Sequence, residues 1–262
     1  MNELGIIFLV ALILSAVGFI MYVYFFSVGY GFSIAGIGIA LLLLFRRGLS
    51  VATVSMCVLF VIYGLRLGGY LLIRELKSTA YKNLLKNESK HNVKTGVKVC
   101  IWVSCAILYV CECAPVLFRM QSGKGNDAFA VIGIVLMAAG ILMEMLADWQ
   151  KTKAKKDNPG RFVSTGLYRM VRCPNYFGEL LLWTGVFVSG LNVCHTPLQW
   201  LLCILGFLGI NYVMFSGARR LELRQDKNYG ADPAYQEYVR TTPIIIPFLP
   251  IYSVKKHKWL VA

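Results

Sequence analysis

Seven apolar runs dominate the sequence and constrain its fold more than any other feature. A helix that crosses a bilayer needs about 20 mostly apolar residues. Of the seven runs, the second and the sixth are the shortest. The runs fall at about 5–26, 29–45, 51–73, 97–118, 128–147, 176–192 and 197–217. Hydrophobic residues make up 57% of the chain and charged residues only 15%, which is unlike a soluble domain. The sequence therefore predicts an all-α membrane protein, a bundle of seven transmembrane helices.

The distribution of Lys and Arg predicts how this bundle is oriented. If loops alternate between sides, 74–96, 148–175 and 218–262 share one side and hold 21 cations, whereas 46–50 and 119–127 hold four. Short cytoplasmic loops carry an excess of Lys and Arg. We therefore predict an N-terminus outside and a C-terminus in the cytosol. Such a multi-pass protein would lie in the inner membrane of a bacterium or the endoplasmic reticulum of a eukaryote.

The net charge of +14 does not indicate a nucleic-acid partner. Most cations lie beside apolar runs, where membrane topology and anionic membrane lipids explain them. Most of the eight Cys lie inside apolar runs, as buried reduced thiols do. Cys111-Glu112-Cys113 lacks the spacing of metal ligands and the three His are scattered, so we predict no metal site. Glu3 and the lack of a small-residue cleavage site predict a retained first span.

Polar residues cluster at the start of the sixth run, in Arg172-Cys-Pro-Asn-Tyr-Phe-Gly-Glu179. Pro174 suits the first turn of a helix, where its missing N–H costs nothing. Asn175 and Glu179 would then share one face, where together they can receive a carboxamide. Ionisable groups are expensive at membrane depth, so we interpret this stretch as a ligand-facing site.

A turn and several cations precede this stretch. Asn158-Pro-Gly160 is a turn signal, and Thr165-Gly166-Leu-Tyr168 follows it. Backbone N–H groups at a helix start bind phosphate well when guanidinium groups lie beside them, here those of Arg161, Arg169 and Arg172. The alternative is that these cations only set the membrane topology.

A further polar face continues out of the fifth run, through Glu144, Asp148, Lys151 and Lys155. Their spacings of three and four residues place them on one side of a helix. A solvated helix end with ordinary ion pairs would show the same pattern. Glu144 argues against that alternative, because it lies inside the apolar run and needs a partner or a ligand.

The third run carries a polar stripe of Tyr63, Arg66, Tyr70 and Arg74. Arg74 is close enough to the cytosolic end to snorkel to the interface. Arg66 lies deeper and needs an anion, such as a carboxylate or a ligand phosphate. Tyr63 can donate a hydrogen bond or a proton to a substrate oxygen, or it can be a packing tyrosine between helices.

The sequence of residues 218–262 predicts a helix that leaves the last span and includes Arg224. An ordered cytosolic cap is predicted to follow this helix. The tyrosines and the isoleucines in Thr242-Pro-Ile-Ile-Ile-Pro247 are unlike a disordered tail. Such a cap would exclude water from a reaction below it. No Gly-rich fingerprint follows a predicted strand, so a soluble dinucleotide fold is excluded.

These motifs resemble the steroid 5-alpha-reductase-like membrane reductases. The resemblance is specific over about 140–250 and extends to Tyr63-Gly-Leu-Arg66, which is similar to the Tyr-x-x-Arg of that family. The residues that carry it are Asp148-Trp-Gln-Lys151, Gly166-Leu-Tyr-Arg169, Arg172 to Glu179, and Tyr238 with Thr242 to Pro247.

The resemblance implies a single integral-membrane reductase domain over 1–262. Residues 1–127 would form the substrate-side helices and 128–262 the cofactor-binding part with its cap. NADPH would bind from the cytosolic side, and Tyr63 would be catalytic, polarising the carbonyl of an enone in a steroid-like or isoprenoid lipid from the bilayer. The expected cofactor contacts are Arg66, Glu144, Asp148, Lys155, Arg161, Tyr168, Arg169, Arg172, Asn175, Glu179 and Arg224.

The sequence departs from the pattern of this family at two points, and two other functions are alternatives to a reductase. Cys173 stands where bacterial members usually have His, and the first two spans lack the carboxylate that steroid reductases pair with the tyrosine. Isoprenylcysteine carboxyl methyltransferases, which use S-adenosylmethionine, share the Arg-His-Pro-x-Tyr-x-Gly frame. Asn175, Glu179 and the 148–151 motif favour the reductase. A non-catalytic lipid-binding scaffold is the third interpretation.

Overall fold

The structure, a computed structural model, describes residues 2–77 and 93–260, and of residues 74–77 the backbone only. Every regular element in these ranges is a helix. Short 3-10 segments lie at Ala16–Phe19, Tyr22–Phe26 and Gly166–Arg169. The α-helices are α1 (Glu3–Ser15), α2 (Val28–Leu44), α3 (Val51–Lys77), α4 (Thr95–Gln121), α5 (Ala128–Asp157), α6 (Pro174–Gly190), α7 (Pro197–Tyr229) and α8 (Pro233–Thr241).

Five helical stretches among the described residues are long and apolar enough to cross a membrane. They are Tyr22–Leu44, Val51–Ile73, Thr95–Gln121, Ala128–Asp157 and Pro197–Tyr229. They confirm the predicted class of helical membrane protein. The apolar stretch Glu3–Phe19 and the 17 residues of α6 are shorter. The seven-span count and the orientation stay predictions, and most of the basic loop predicted at 74–96 lies outside the described residues.

The first apolar run differs from the prediction of one helix over 5–26. α1 ends at Ser15, whose hydroxyl donates back to the Ala11 carbonyl at 2.6 Å. Two 3-10 segments follow before α2 begins. At Gly18 the chain lies against the Phe25 ring, and a Cβ there would be 2.0 Å from it. The aromatic segment therefore folds back on Gly18, and the prediction of one continuous helix over 5–26 was wrong.

Side chains from α4 satisfy carbonyl groups in this N-terminal region. Trp102 Nε1 donates to the Leu12 carbonyl at 2.9 Å, and the Tyr109 hydroxyl donates to the Phe25 carbonyl. An unpaired carbonyl costs several kcal/mol in lipid, about as much as a lost hydrogen bond in an apolar solvent. Non-helical backbone is therefore tolerated here because neighbouring helices supply donors.

The chain divides into two compact units. The first comprises Met1–Ile134 and Val186–Phe207, and the second comprises Val135–Gly185 and Leu208–Ala262. The predicted division between residues 127 and 128 stays a prediction. Within the first unit, α2 packs closely on α3, since a Cβ on Gly64 would lie 2.2 Å from the Gly31 carbonyl oxygen. Small residues allow such close helix packing in membranes.

Arg119 forms a buried polar network in the first unit. It lies in the last turn of α4 and is fully buried, although the sequence suggested a loop cation. Its Nε and Nη2 donate to the Ser189 carbonyl at 2.9 and 2.7 Å, and Nη2 also donates to Asn192 Oδ1 at 2.7 Å. Its Nη1 donates to the Gly125 carbonyl at 3.0 Å and to Asp127 Oδ2 at 2.9 Å. Every donor of this guanidinium is therefore accepted.

Asp127 is the anionic partner in this network. Burial raises the pKa of its carboxyl, but hydrogen bonds from Arg119, Asn192 and the Ala130 N–H outweigh that effect and hold the pKa well below its usual range. A carboxyl with a lowered pKa stabilises the fold above its unfolded pKa of about 4. This stabilisation is lost as pH falls from there toward the folded pKa.

We expect Arg119→Ala to lower the free energy of unfolding by about 3–5 kcal/mol, the range for breaking a buried ion pair. The change leaves Asp127 without its cation and the Ser189 carbonyl without its donors. Thermal or denaturant unfolding in detergent measures the loss. Arg47→Ala is the matched control because Arg47 is exposed. Equal, small losses in both variants would contradict a stabilising role for the network.

Candidate cofactor-binding site

Two helices of the second unit cross at glycines beside the predicted site. A Cβ on Gly140 of α5 would lie 2.5 Å from the Gly178 carbonyl oxygen of α6. A Cβ on Gly178 would lie 2.7 Å from Glu144 Cγ. No larger side chain fits at either position, so the two glycines place the Glu144 side chain directly over α6.

Two carboxyl groups are buried near this crossing. Glu144 is 2% exposed and Glu179 is 6% exposed. Trp183 Nε1 donates to Glu179 Oε2 at 3.0 Å, one turn further along α6. Asn175, one turn before Glu179, is partly exposed. The start of α6 at Pro174 confirms the prediction that Asn175 and Glu179 lie on one helix face.

Two of the sequence motifs contact each other. The Gln150 side-chain oxygen accepts the Leu167 N–H at 2.8 Å. Gly166 has a φ of +61°, and a Cβ there would lie 2.4 Å from the same oxygen, so only glycine fits. The buried Tyr168 donates to the Ala147 carbonyl at 3.3 Å. The 148–151 motif thus holds the 166–169 motif against α5.

Lys155 closes the predicted turn after α5. Its ammonium donates to the Pro159 and Arg161 carbonyls at 3.2 and 2.6 Å and to the Tyr229 hydroxyl at 2.8 Å. These contacts use all three donors of the ammonium, so Lys155 has a structural role that the sequence did not predict. Among the predicted cofactor contacts, Asp148 is partly buried, and Arg161, Arg169 and Arg224 are exposed.

Arg172 is buried in an ion pair that the sequence did not predict. Its Nη2 lies 2.9 Å from Glu222 Oε1, and both side chains are almost fully buried. Nη2 also donates to the Tyr252 carbonyl, and Glu222 Oε2 accepts the Val254 N–H at 2.9 Å. The Nε of Arg172 has no hydrogen-bond partner among the described residues. Nη2 therefore binds both α7 and the C-terminal segment (residues 243–260), and Nε is a buried donor that a ligand can use.

The start of α6 also pairs with the C-terminal segment through its backbone. The Arg172 and Cys173 N–H groups donate to the Pro243 and Ile244 carbonyls at 2.8 and 2.9 Å. These two N–H groups are therefore not donors for a phosphate. The buried residues packed here confirm an ordered segment: Cys173, Leu180, Ala218, Ile244, Ile245, Val254 and Leu260.

Cys173, at the position where the resemblance led us to expect His, lies inside this cluster. Burial raises the pKa of its thiol to about 12. The thiol therefore stays protonated at neutral pH and is no nucleophile. Its contribution is packing against the C-terminal segment.

Tyr63 lies in the first unit, on α3, and is fully buried. Its ring lies edge-to-face against Tyr30, with centroids 6.1 Å apart, and Tyr30 lies 5.0 Å from the ring of Tyr109. Arg66, one turn along α3, is partly buried.

Glu112 on α4 is 3% exposed. The sequence did not single out this carboxyl group as a site residue. A carboxyl within an apolar run is itself a signal of a site, and Glu112 shares a helix face with Tyr109.

These features define a helical membrane protein whose second unit combines buried carboxyl groups with exposed cations. The chain belongs to the DUF1295 family, described as a protein of unknown function, because the family model matches residues 11–242.

Individual proteins that are similar to this chain match a smaller part of it than the family model does. Steroid 5-alpha-reductase DET2 of Arabidopsis thaliana is 26% identical over 122 residues, or 45% of this chain and 41% of that protein. Its counterpart in Gossypium hirsutum is 22% identical over 120 residues, with the same coverage. An uncharacterized protein of Schizosaccharomyces pombe is 27% identical over 148 residues, or 48% of this chain and 42% of that protein.

The chain thus spans less than half the length of the curated relatives it matches. No solved structure matches it. The family match and the relatives confirm the resemblance to the steroid 5-alpha-reductase-like family.

We expect Glu222→Ala to release the C-terminal segment, because Arg172 would be left buried without its anion and Val254 without its acceptor. A loss of about 3–5 kcal/mol is typical when one partner of a buried pair is removed. Hydrogen exchange of 243–260, read by mass spectrometry, measures the release. Glu237→Ala is the matched control because its ion pair with Arg240 is exposed. Unchanged protection of 243–260 in both variants would show that the pair does not hold the segment.

Proposed function

We propose that this protein is a membrane-embedded, NADPH-dependent reductase. It reduces a carbon–carbon double bond conjugated to a carbonyl in a steroid-like or isoprenoid lipid that it takes from the bilayer. The observation that carries the proposal is the pair of buried carboxyl groups, Glu144 and Glu179, beside Asn175 in the second unit. The similarity to proteins named steroid 5-alpha-reductase supports the reaction class.

The residues of the second unit suit NADPH by their chemistry. Glu179 and Asn175 offer an acceptor and an amide for the N–H and C=O of a carboxamide. The exposed guanidinium groups of Arg161, Arg169 and Arg224 can bind phosphates. Arg172 Nε, a buried donor with no partner among the described residues, adds one further hydrogen bond. When bound, NADPH supplies a hydride.

Tyr63 in the first unit has the properties of a group that polarises a carbonyl. Its hydroxyl can donate a hydrogen bond to the carbonyl oxygen and stabilise the negative charge that develops there. Full burial of Tyr63 strengthens this interaction, because a low dielectric screens it little. The edge-to-face contact with Tyr30 fixes the plane of the ring.

We expect Glu179→Ala to weaken NADPH binding about 10-fold or more, and Asn175→Ala to weaken it about 2- to 10-fold. Glu179 loses a hydrogen bond with one charged partner, worth about 1.5–3 kcal/mol, and Asn175 loses a neutral one, worth about 0.5–1.5 kcal/mol, where 1.4 kcal/mol corresponds to a factor of ten. Isothermal titration of purified protein in detergent measures the affinity. Glu237→Ala is the control because this carboxylate is exposed. Full affinity in both site variants would remove these residues from the cofactor site.

We expect Tyr63→Phe to lower turnover about 10²–10³-fold, the usual effect of losing one donor to a developing oxyanion, with NADPH affinity unchanged. Turnover is followed by NADPH absorbance with enone lipids in detergent. Tyr70→Phe, two turns further along α3, is the matched control. Normal turnover in Tyr63→Phe would exclude Tyr63 from the mechanism while leaving the cofactor site untouched.

A further inference from the structure

An apolar loop projects from the C-terminal segment of the second unit. The Ile244 N–H donates to the Ile251 carbonyl at 2.8 Å and closes the loop, and the Ile251 N–H donates to the Leu249 carbonyl at 2.7 Å. Phe248 at its tip is 95% exposed and has a φ of +67°. A left-handed conformation is unusual for a bulky residue, so the loop directs Phe248 outward despite this strain.

The base of the loop is fixed. Ile244 and Ile245 are buried in the apolar cluster around Cys173, and Leu249 beside the tip is exposed. Pro247 and Pro250 flank the tip and restrict its backbone. Phe248 and Leu249 therefore form an exposed apolar surface that the fixed loop base keeps apart from the apolar cluster around Cys173.

The end of the segment returns to the apolar part of α7. Arg219 donates to the Lys255 and Leu260 carbonyls at 3.2 and 3.1 Å. Trp259 stacks on Tyr212 with ring centroids 6.2 Å apart, and the Tyr212 hydroxyl donates to the Trp259 carbonyl at 3.1 Å. Tyr212 lies within α7, which is long and apolar enough to cross a membrane, seven residues before Arg219, which is about 10 Å along the helix. Trp259 therefore packs against the apolar part of α7.

Basic residues lie near this apolar surface in the C-terminal segment. Trp259 is 66% exposed, and Lys256 and Lys258 next to it are exposed as well. Tryptophan is enriched where membrane meets water, and basic residues near a membrane surface attract anionic lipids. Apolar tip residues, an exposed Trp and neighbouring lysines together form the pattern of a segment that lies in the bilayer interface.

We propose that residues 247–259 form an anchor in the bilayer interface, with Phe248, Leu249 and Trp259 among the acyl chains and Lys256 and Lys258 on anionic headgroups. The occupant of this surface is thus the membrane that holds the protein. The anchor does not depend on the reductase activity, because it rests on the fold of the C-terminal segment and on the apolar helix α7.

Depth measurements with a nitroxide test the apolar contact. The parent is Cys100→Ser, because Cys100 is the exposed thiol among the described residues and the other seven are buried. A nitroxide is attached at Phe248→Cys in nanodiscs of phosphatidylcholine and phosphatidylglycerol, and its collisions with oxygen and with a water-soluble nickel complex are compared. Glu237→Cys is the control on an exposed part of α8.

We expect the ratio of oxygen to nickel collisions to be at least about threefold higher at 248 than at 237, because oxygen concentrates in lipid and the nickel complex in water. Equal ratios at the two positions would overturn the proposal. If Phe248→Cys does not fold, Leu249→Cys carries the same comparison.

The electrostatic part has a separate test. The thermal midpoint of the parent should be higher in nanodiscs that contain phosphatidylglycerol than in nanodiscs of phosphatidylcholine alone. Replacing both Lys256→Gln and Lys258→Gln should reduce this difference by at least about half, whereas Arg240→Gln should leave it unchanged. An undiminished difference in the double variant would overturn the role of the two lysines. Neither test uses NADPH or turnover, so a failed anchor and a failed reductase assignment are distinguishable.

Discussion

The ion pair between Arg172 and Glu222 organises the second unit. Two charges taken out of water lose solvation worth several kcal/mol each, so this pair needs further hydrogen bonds that offset part of that cost. The Tyr252 carbonyl and the Val254 N–H meet that need. One electrostatic contact therefore joins the start of α6, the C-terminal part of α7 and the C-terminal segment. The candidate cofactor residues Asn175 and Glu179 follow directly on this fixed start of α6.

The same constraint acts at the buried Arg119 of the first unit. Arg119 is accepted by carbonyl, amide and carboxylate groups around it, and it ties the ends of helices together in the first unit. Glu144 and Glu179 differ from these structural charges in their surroundings, because Glu144 packs on Gly178 at the helix crossing and Glu179 lies one turn from the partly exposed Asn175. This difference separates charges that hold the fold from charges suited to bind a cofactor.

Features encoded by nearby residues could be predicted from the sequence. Long apolar runs gave the membrane-spanning helices, Pro174 gave the start of α6, and Asn158-Pro-Gly160 gave the turn after α5. The burial of Arg119 and the pair of Arg172 with Glu222, 50 residues apart, could not be predicted, because spacing does not encode contacts between distant segments. The break after Ser15 was missed for the same reason, since α4 supplies the donors that permit it.

We propose that the second unit binds a reduced nicotinamide dinucleotide. A thermal-shift comparison of purified protein with NADPH, NADH and S-adenosylmethionine tests it most directly, because a ligand stabilises the state it binds by RT ln(1 + [L]/Kd). The account predicts a clear rise in the unfolding midpoint with NADPH and none with S-adenosylmethionine. Stabilisation by S-adenosylmethionine alone would contradict the reductase assignment and favour a methyltransferase.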